Sequence, residues 1–260
     1  MKITTIGIDL AKSVFSIHGV DQHGKCVLKR QVRREQLLEM MARLEPCLIG
    51  MEACSGARHF ARELRKLGHD TRIMAPQFVQ PYRKSQKNDG NDAEAICEAV
   101  ARPNMRFVAI KSEEQQAMLV VHRVRKALVD ERTGLINSLR GMLCEFGVVL
   151  PQGRYRLRAR LPQVLLDENE RLPAMAREIF REVNERIGEL DEHILAYDRR
   201  IEALVRHSDS AKRLLQIPGI GPISASALVA SVGDAKMFSN GRQFAAWLGL
   251  VTRYDQTVCK

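Results

Sequence analysis

Four carboxylates in the first third of the chain have the types and spacing to do chemistry. Asp9 closes the run Ile6-Gly7-Ile8-Asp9, Glu52 closes Leu48-Ile49-Gly50-Met51-Glu52, and Asp89 and Asp92 stand three residues apart. Each of the first two ends a short apolar run that reads as a buried strand, which places its carboxylate at the rim of a sheet. On a helix starting near Asn91, Asp89 and Asp92 at i, i+3 point the same way. Four oxygen-bearing side chains delivered to one rim make a cage for hard cations such as Mg2+. A pair of such ions activates a nucleophile and stabilises the leaving oxygen of a phosphodiester. A chain with 31 acidic residues offers many chance foursomes. The flanks of Asp9 and Glu52, however, are apolar, and an unpartnered carboxylate buried there is costly, so both positions call for a cation or a hydrogen-bond donor.

The elements that must position these groups are legible in the pattern. Ile3 to Asp9, Val14 to Val20 and Lys25 to Gln31 read as three strands joined by short turns, the second being Asp21-Gln22-His23-Gly24. A helix from about Glu35 to Leu44, a strand from Cys47 to Met51, a helix from Gly56 to Leu67 and a strand from Thr71 to Ala75 follow. Three antiparallel strands, then helix, strand, helix, strand is the order of the α/β ribonuclease-H-like (resolvase-like) fold. That order gives the fold class and leaves the chemistry open.

A chain of 260 residues holds two domains, or one with a helical extension. Its net charge of +10 and pI near 9.6 favour a polyanionic partner, nucleic acid before membrane. No apolar run reaches membrane-spanning length and no cleavable leader is visible, so a cytoplasmic location is expected. The six cysteines, Cys26, Cys47, Cys54, Cys97, Cys144 and Cys259, form no C-x-x-C pair and have no histidines at zinc spacing. Cys47 and Cys97 read as core thiols of a reducing compartment.

Residues 112 to 146 read as a helix with apolar positions Val121, Val124, Leu128, Leu135, Leu139, Met142 and Phe146. A breaker-rich linker, 147–173, carries Arg154, Arg156, Arg158 and Arg160, which read either as nucleic-acid backbone contacts or as a solvated surface. Lys29, Arg30, Arg33 and Arg34 share that ambiguity. Val183, Ile187, Leu190, Ile194, Tyr197, Ile201 and Leu204 then form a heptad seam, which suits a helix packed on its neighbour within one chain or an intermolecular coiled coil. In the last segment two short helices, Ala211 to Gln216 and Ile223 to Val232, flank Ile217-Pro218-Gly219-Ile220-Gly221-Pro222, a helix-hairpin-helix pattern. Backbone N–H groups around Gly219, Ile220 and Gly221 at the start of the second helix suit a DNA phosphate. Trp247, following Phe244 in an apolar helix, reads as core rather than a base-stacking platform.

Taken in order, Gly-Ile-Asp-Leu-Ala-Lys, Gly-Met-Glu-Ala-Cys-Ser-Gly, Lys-Asn-Asp-Gly-Asn-Asp-Ala-Glu-Ala, Ile-Pro-Gly-Ile-Gly-Pro and Gly-Arg-Gln-Phe-Ala-Ala-Trp-Leu-Gly-Leu-Val closely resemble the DEDD transposases of bacterial insertion sequences, described as bridge-RNA-guided recombinases. The resemblance runs from residue 3 to about 251. It implies a catalytic domain similar to Holliday-junction resolvases over residues 1–110, a helical coiled-coil arm over 111–207, and a partial C-terminal domain with the helix-hairpin-helix over 208–260. It also implies that Asp9, Glu52, Asp89 and Asp92 are a catalytic tetrad binding Mg2+, for which Mn2+ substitutes. DNA at the element ends and target, a guide RNA, and assembly into a dimer or tetramer are the implied partners. No organic cofactor is expected. Lys12, three residues past Asp9, is either a contact to the scissile phosphate or an exposed turn lysine.

The sequence departs from the family after Gly249-Leu250-Val251. Members of the family continue with a proline and a Ser-Ser-Gly-Gly-Lys stretch whose serine is thought to attack DNA, whereas no serine follows Ser239 here and Thr257 lacks the neighbouring glycines. The expectation is a truncated or frameshifted copy, impaired in strand transfer. Two alternatives stand beside it: a non-catalytic DNA- and RNA-binding remnant, and a sugar-kinase-like ATPase, suggested by Gly7 to Lys12 but lacking a later Gly-rich adenosine motif.

Overall fold

The computed structural model describes residues 2–83, 89–166, 172–232 and 235–250, with the backbone alone at residues 89 and 90. The chain divides into two compact units, Met1–Lys111 with Gly233–Lys260, and Ser112–Val232.

The first unit is built on strands β1 (Thr5–Asp9), β2 (Val14–Val20), β3 (Cys26–Arg33), β4 (Leu48–Glu52), β5 (Asp70–Met74) and β6 (Phe107–Val108). Their order in the sheet is β3-β2-β1-β4-β5-β6. β1 pairs antiparallel with β2 and parallel with β4, β4 is parallel to β5, and β6 returns antiparallel along β5. Helices α1 (Leu37–Ala42), α2 (Ala57–Lys66), α3 (Pro76–Val79) and α4 (Asp89–Val100) complete the unit. This mixed α/β sheet is compatible with the ribonuclease-H-like order read from the sequence. The two-residue β6 was not expected, being too short to carry a periodic signal. The helix expected near Asn91 opens two residues earlier.

Alternation divides the sheet into two faces. Ile6, Ile8, Ile49 and Met51 are fully buried with Phe15, Phe60 and Leu64 on the α2 face. Each contributes about 1.5–3 kcal/mol of burial. Ala95, Ile96, Ala99 and Val100 of α4 bury a second cluster with Met74 and Val79 on the opposite face. Buried His69 ties α1 to β4. Its Nε2–H donates to the Met41 carbonyl oxygen at 3.1 Å, leaving Nδ1 to accept from the Cys47 backbone N–H at 3.3 Å.

The second unit contains α5 (Glu113–Cys144), α6 (Arg154–Leu166), α7 (Ala174–Arg206), α8 (Asp209–Leu215) and α9 (Pro222–Val232). Ser112 and Gln115 form a capping box that starts α5. The seam on α7 is largely buried: Ile187, Leu190 and Ile201 are sealed, Ile194 nearly so, and Leu204 is 36% exposed. α7 runs against α5 within the chain, which satisfies the seam without a second chain.

The buried stripe of α5 differs from the expected one. Ile136, Leu139 and Leu143 are buried together with Arg132, while Val124 and Met142 are exposed. Apolar spacing alone could not foresee that a charged residue would take a core position, because its partner, Asp191, comes from α7. The stretch read as a linker contains α6, with Pro162 inside it. Leu157, Leu161, Val164 and Leu165 give that helix a buried face, and their burial outweighs the breakers around it.

Among the described residues no helix is long and apolar enough to cross a membrane.

Candidate functional site

The site is set by where strands end. Asp9 is the last residue of β1 and Glu52 the last of β4. The parallel register pairs Gly7 with Gly50 and Ile8 with Met51, so Asp9 and Glu52 are the next neighbours on the same rim. Both share a face with the glycines two residues before them. That face is the one α4 covers: a Cβ on Gly7 would lie 2.2 Å from the Ala93 carbonyl oxygen, and one on Gly50 would lie 2.7 Å from the Val100 Cβ.

α4 runs antiparallel to β1. The Cys97 thiol donates to the Thr5 carbonyl oxygen at 3.6 Å, while Ala93, a turn nearer the helix start, sits over Gly7, two residues further along the strand. Continuing in that direction brings the first turn of α4, with Asp92 and the backbone of Asp89, toward the rim that ends in Asp9. The two glycines make this possible, since α4 approaches closer than any Cβ would allow.

Asp92 is buried, and its Oδ1 lies 2.5 Å from Nε of Arg83, an ion pair rather than an aligned hydrogen bond. Asp9 and Glu52 are half-buried. Burial raises the Cys54 thiol, and the charges of Asp9 and Glu52 raise it further. The side chain of Asp89 lies outside the described residues. Among the described residues no three His, Cys, Asp or Glu side chains form a ready metal-binding group. The donor chemistry nonetheless suits a hard cation, as these are carboxylate oxygens only, and Asp92 already takes a cationic neighbour. A cleft of about 440 Å³ lined by His18, Glu94, Cys97, Glu98 and Arg102 lies between β2 and α4, beside the middle of the helix.

The remaining expected contacts are scattered. Lys12 is exposed in the turn after β1. The four arginines alternate in sequence but lie on a helix, which separates them. Arg154 and Arg158, one turn apart, both reach Asp191, at 3.3 and 2.6 Å, where Arg132 also binds at 2.6 Å. Arg156 and Arg160 are exposed, and Arg160 donates to Gln163 Oε1 at 2.9 Å. The excess of three guanidinium groups on one carboxylate was invisible in the sequence, since Asp191 is more than thirty residues from any of them.

Gly219 has φ +87° in the turn between α8 and α9, and Gly219 and Gly221 are exposed. Ile220 instead packs against Val205, Ala211 and Ala225. Ala225 and Ser226 are buried, and Ser226 Oγ receives a 2.9 Å hydrogen bond from His122 Nε2 while donating to the Pro222 carbonyl oxygen. Near the chain end, α10 (Gly241–Trp247) holds Trp247 stacked on Phe244 at 6.1 Å and edge-on to Phe238 at 5.5 Å, with Trp247 still 45% exposed. Thr257 lies outside the described residues.

Comparison with known proteins connects these features. Residues 6–147 match the IS110-type DEDD family described as Transposase, and residues 211–257 match the family described as Transposase IS116/IS110/IS902 family. The chain is 51% identical over 258 residues to the "Probable family 20 transposase" of Pseudomonas aeruginosa, covering 99% of this chain and 76% of that protein. It is 42% identical over 255 residues to the transposase for insertion sequence element IS1328 of Yersinia enterocolitica, covering 98% of this chain and 75% of the relative. It is 39% identical over 251 residues to the transposase for insertion sequence element IS1111A of Coxiella burnetii, covering 96% and 69%.

Proposed function

Because the chain belongs to the IS110/IS116 family of insertion-sequence transposases, we propose that it performs metal-dependent cleavage and transfer of DNA strands at the rim formed by Asp9, Glu52, Asp89 and Asp92. The observation that carries this reading is the convergence of three chain segments. Asp9 and Glu52 end adjacent parallel strands on one face, and α4, crossing that face over Gly7 and Gly50, brings its first turn toward them.

In this reading the four carboxylates hold Mg2+, or Mn2+ in its place. The bound metal would polarise the scissile phosphodiester and stabilise the leaving oxygen. The protein's own contribution is positioning. Asp9 and Glu52 are fixed by the register of β1 and β4, and Asp92 by burial and by Arg83. Lys12, exposed just past Asp9, contacts the backbone phosphate, while exposed Arg156 and Arg160 and the backbone around Gly219, Ile220 and Gly221 add sequence-independent grip on DNA or on a guide RNA. The net charge of +10 supports such a polyanionic partner. Assembly into a dimer or tetramer belongs to the same reading, as does the role of α8 and α9 as a helix-hairpin-helix.

The test is to incubate the purified chain with supercoiled DNA and the RNA from the flank of its element, with and without Mg2+, beside Asp9→Asn and Glu52→Gln. Nicking that requires the metal and falls at least about 100-fold in either variant is the expected result. Metal-dependent nicking that survives both substitutions would overturn the assignment of the rim. Binding without nicking would favour a non-catalytic DNA- and RNA-binding role.

A further inference from the structure

β3 closes one edge of the sheet, and its basic residues have no part in the reading above. The register assigns each of them a face. Asp9 pairs with Ser16 across β1 and β2, and Ser16 pairs with Gln31 across β2 and β3. Residues directly opposite in neighbouring strands point to the same side of a sheet, as do alternate residues of one strand. Gln31 therefore shares the face of Asp9, and so do Lys29 and Arg33, two residues to either side of it. Arg30 points to the opposite face, where its register partner Ile17 belongs to the core cluster that holds Phe60 and Leu64. Arg34 lies over the Phe15 and Phe60 rings on that opposite face as well.

β1 and β3 both run antiparallel to β2, so β3 ends at the rim where β1 ends. Two strand spacings put Gln31 about 10 Å from Asp9 across the sheet. Arg33, paired with Val14 at the start of β2, stands one alternation beyond that level. Lys29, Gln31 and Arg33 are all exposed. Among the described residues no carboxylate pairs with Lys29 or Arg33, whereas elsewhere in this unit Arg43 holds Glu39 at 2.5 Å and Arg72 holds Asp70 at 2.7 Å. Cations on an edge strand can serve only to keep a second strand from pairing there, a role that charge on either face fulfils. Lys29 and Arg33 add alignment to charge, since both stand on the carboxylate face and run along it to the rim. They are about 13 Å apart, and a DNA strand carries one phosphate per roughly 3.4 Å of helix axis, so the two cations meet separate phosphates.

We propose that Lys29 and Arg33 hold the phosphate backbone of a DNA duplex along the edge strand and lead it to the rim of Asp9 and Glu52. This rests on reading that rim as the cleavage site, and the two are tested by separate measurements. For the edge strand, the full chain is titrated onto a fluorescein-labelled duplex carrying the element end, in EDTA, across a NaCl series. Each phosphate contact to duplex DNA adds about 0.9 to the slope of log affinity against log salt. Lys29→Met and Arg33→Met should each lower the slope by about 0.9, and the double variant by about 1.8. Arg30→Met removes the same charge from the opposite face of the same strand and should leave the slope unchanged.

An unaltered slope in the double variant overturns the proposal and leaves the two cations as guards of the sheet edge. An equal drop in Arg30→Met overturns it too, as does a wild-type chain that does not bind the duplex, or a drop seen only with the RNA from the flank of the element. If a methionine variant loses its cooperative thermal transition, Lys29→Gln and Arg33→Gln decide. For the rim, Mg2+-dependent nicking of the same DNA is assayed beside Asp9→Asn. A wild-type chain with the expected slopes but no nicking removes the cleavage reading and leaves Lys29 and Arg33 as phosphate contacts.

Discussion

Gly7 and Ala93 touch backbone to backbone: a Cβ on Gly7 would come within 2.2 Å of the Ala93 carbonyl oxygen, and within 2.4 Å of the Cys97 nitrogen. No side-chain rotamer can relieve such a contact, because every atom in it belongs to the main chain. The close approach of α4 to β1 depends on the missing Cβ.

Gly7→Ala should therefore push α4 off the sheet and cost at least about 3 kcal/mol of stability. Gly50→Ala should cost less, since the opposing atoms are the Val100 side chain, and Val100→Ala should restore part of that loss. Chemical denaturation of the three variants measures this. Equal losses at Gly7 and Gly50 would contradict the helix position.

Cysteine alkylation reads the rim without any assay of activity. Burial pushes Cys47 up to about 11 and Cys97 up to about 12, so both should label only on unfolding, while Cys26 and Cys144, which are exposed, should label in the native state. Cys54 is exposed but raised, first by burial and then by Asp9 and Glu52. Asp9→Asn should speed its alkylation, and a cation added to the carboxylates should do the same. Peptide mapping after timed labelling gives the rates, and indifference of Cys54 to Asp9→Asn would separate the two groups.

Asp191 gathers Arg132, Arg154 and Arg158 from two helices. Burial favours its neutral form, but the hydrogen bonds and charges of Arg132 and Arg158 outweigh that and hold its carboxyl below the ordinary value of 3.8. A depressed folded-state value means that this stabilisation is fully present above pH 3.8 and is lost as pH falls through the lower folded value. Asp191→Asn should cost about 2 kcal/mol at neutral pH by leaving three guanidinium groups without their shared acceptor. The difference from the wild type should shrink in acid.

His122 acts in a separate pH window. Burial, with help from Arg125, holds its imidazole below the ordinary 6.5, so the unfolded chain binds the proton more readily than the folded one. Its neutral form is favoured above pH 6.5, and stability declines as pH drops from there through the folded value. His122→Gln, which still offers an N–H to Ser226, should flatten the dependence of the melting temperature on pH between about 7 and 5. A slope as steep as that of the wild type would assign the titration to another group.

Much of the first unit was legible because its signals are local. Val14–Val20 was bounded correctly, and the strands ending in Asp9 and Glu52 were found from apolar runs closed by an acid. The same reading failed where a partner distant in sequence decides. Arg132 reads as a surface residue on α5 until Asp191 arrives from α7, and Arg154 and Arg158 read as part of a loop until α6 sets them one turn apart, where both reach Asp191.

The sequence by itself determined the succession of strands and helices as far as β5, the two strand-end carboxylates, the basic balance and the seam on α7, because alternation, heptad spacing and charge are properties of contiguous residues. Only the tertiary structure decided that Asp9 and Glu52 share a face under α4, that Arg83 meets Asp92, and that Arg34 packs over the Phe15 and Phe60 rings. Each of those depends on close approach between segments far apart along the chain, which is fixed by packing and not by any local pattern.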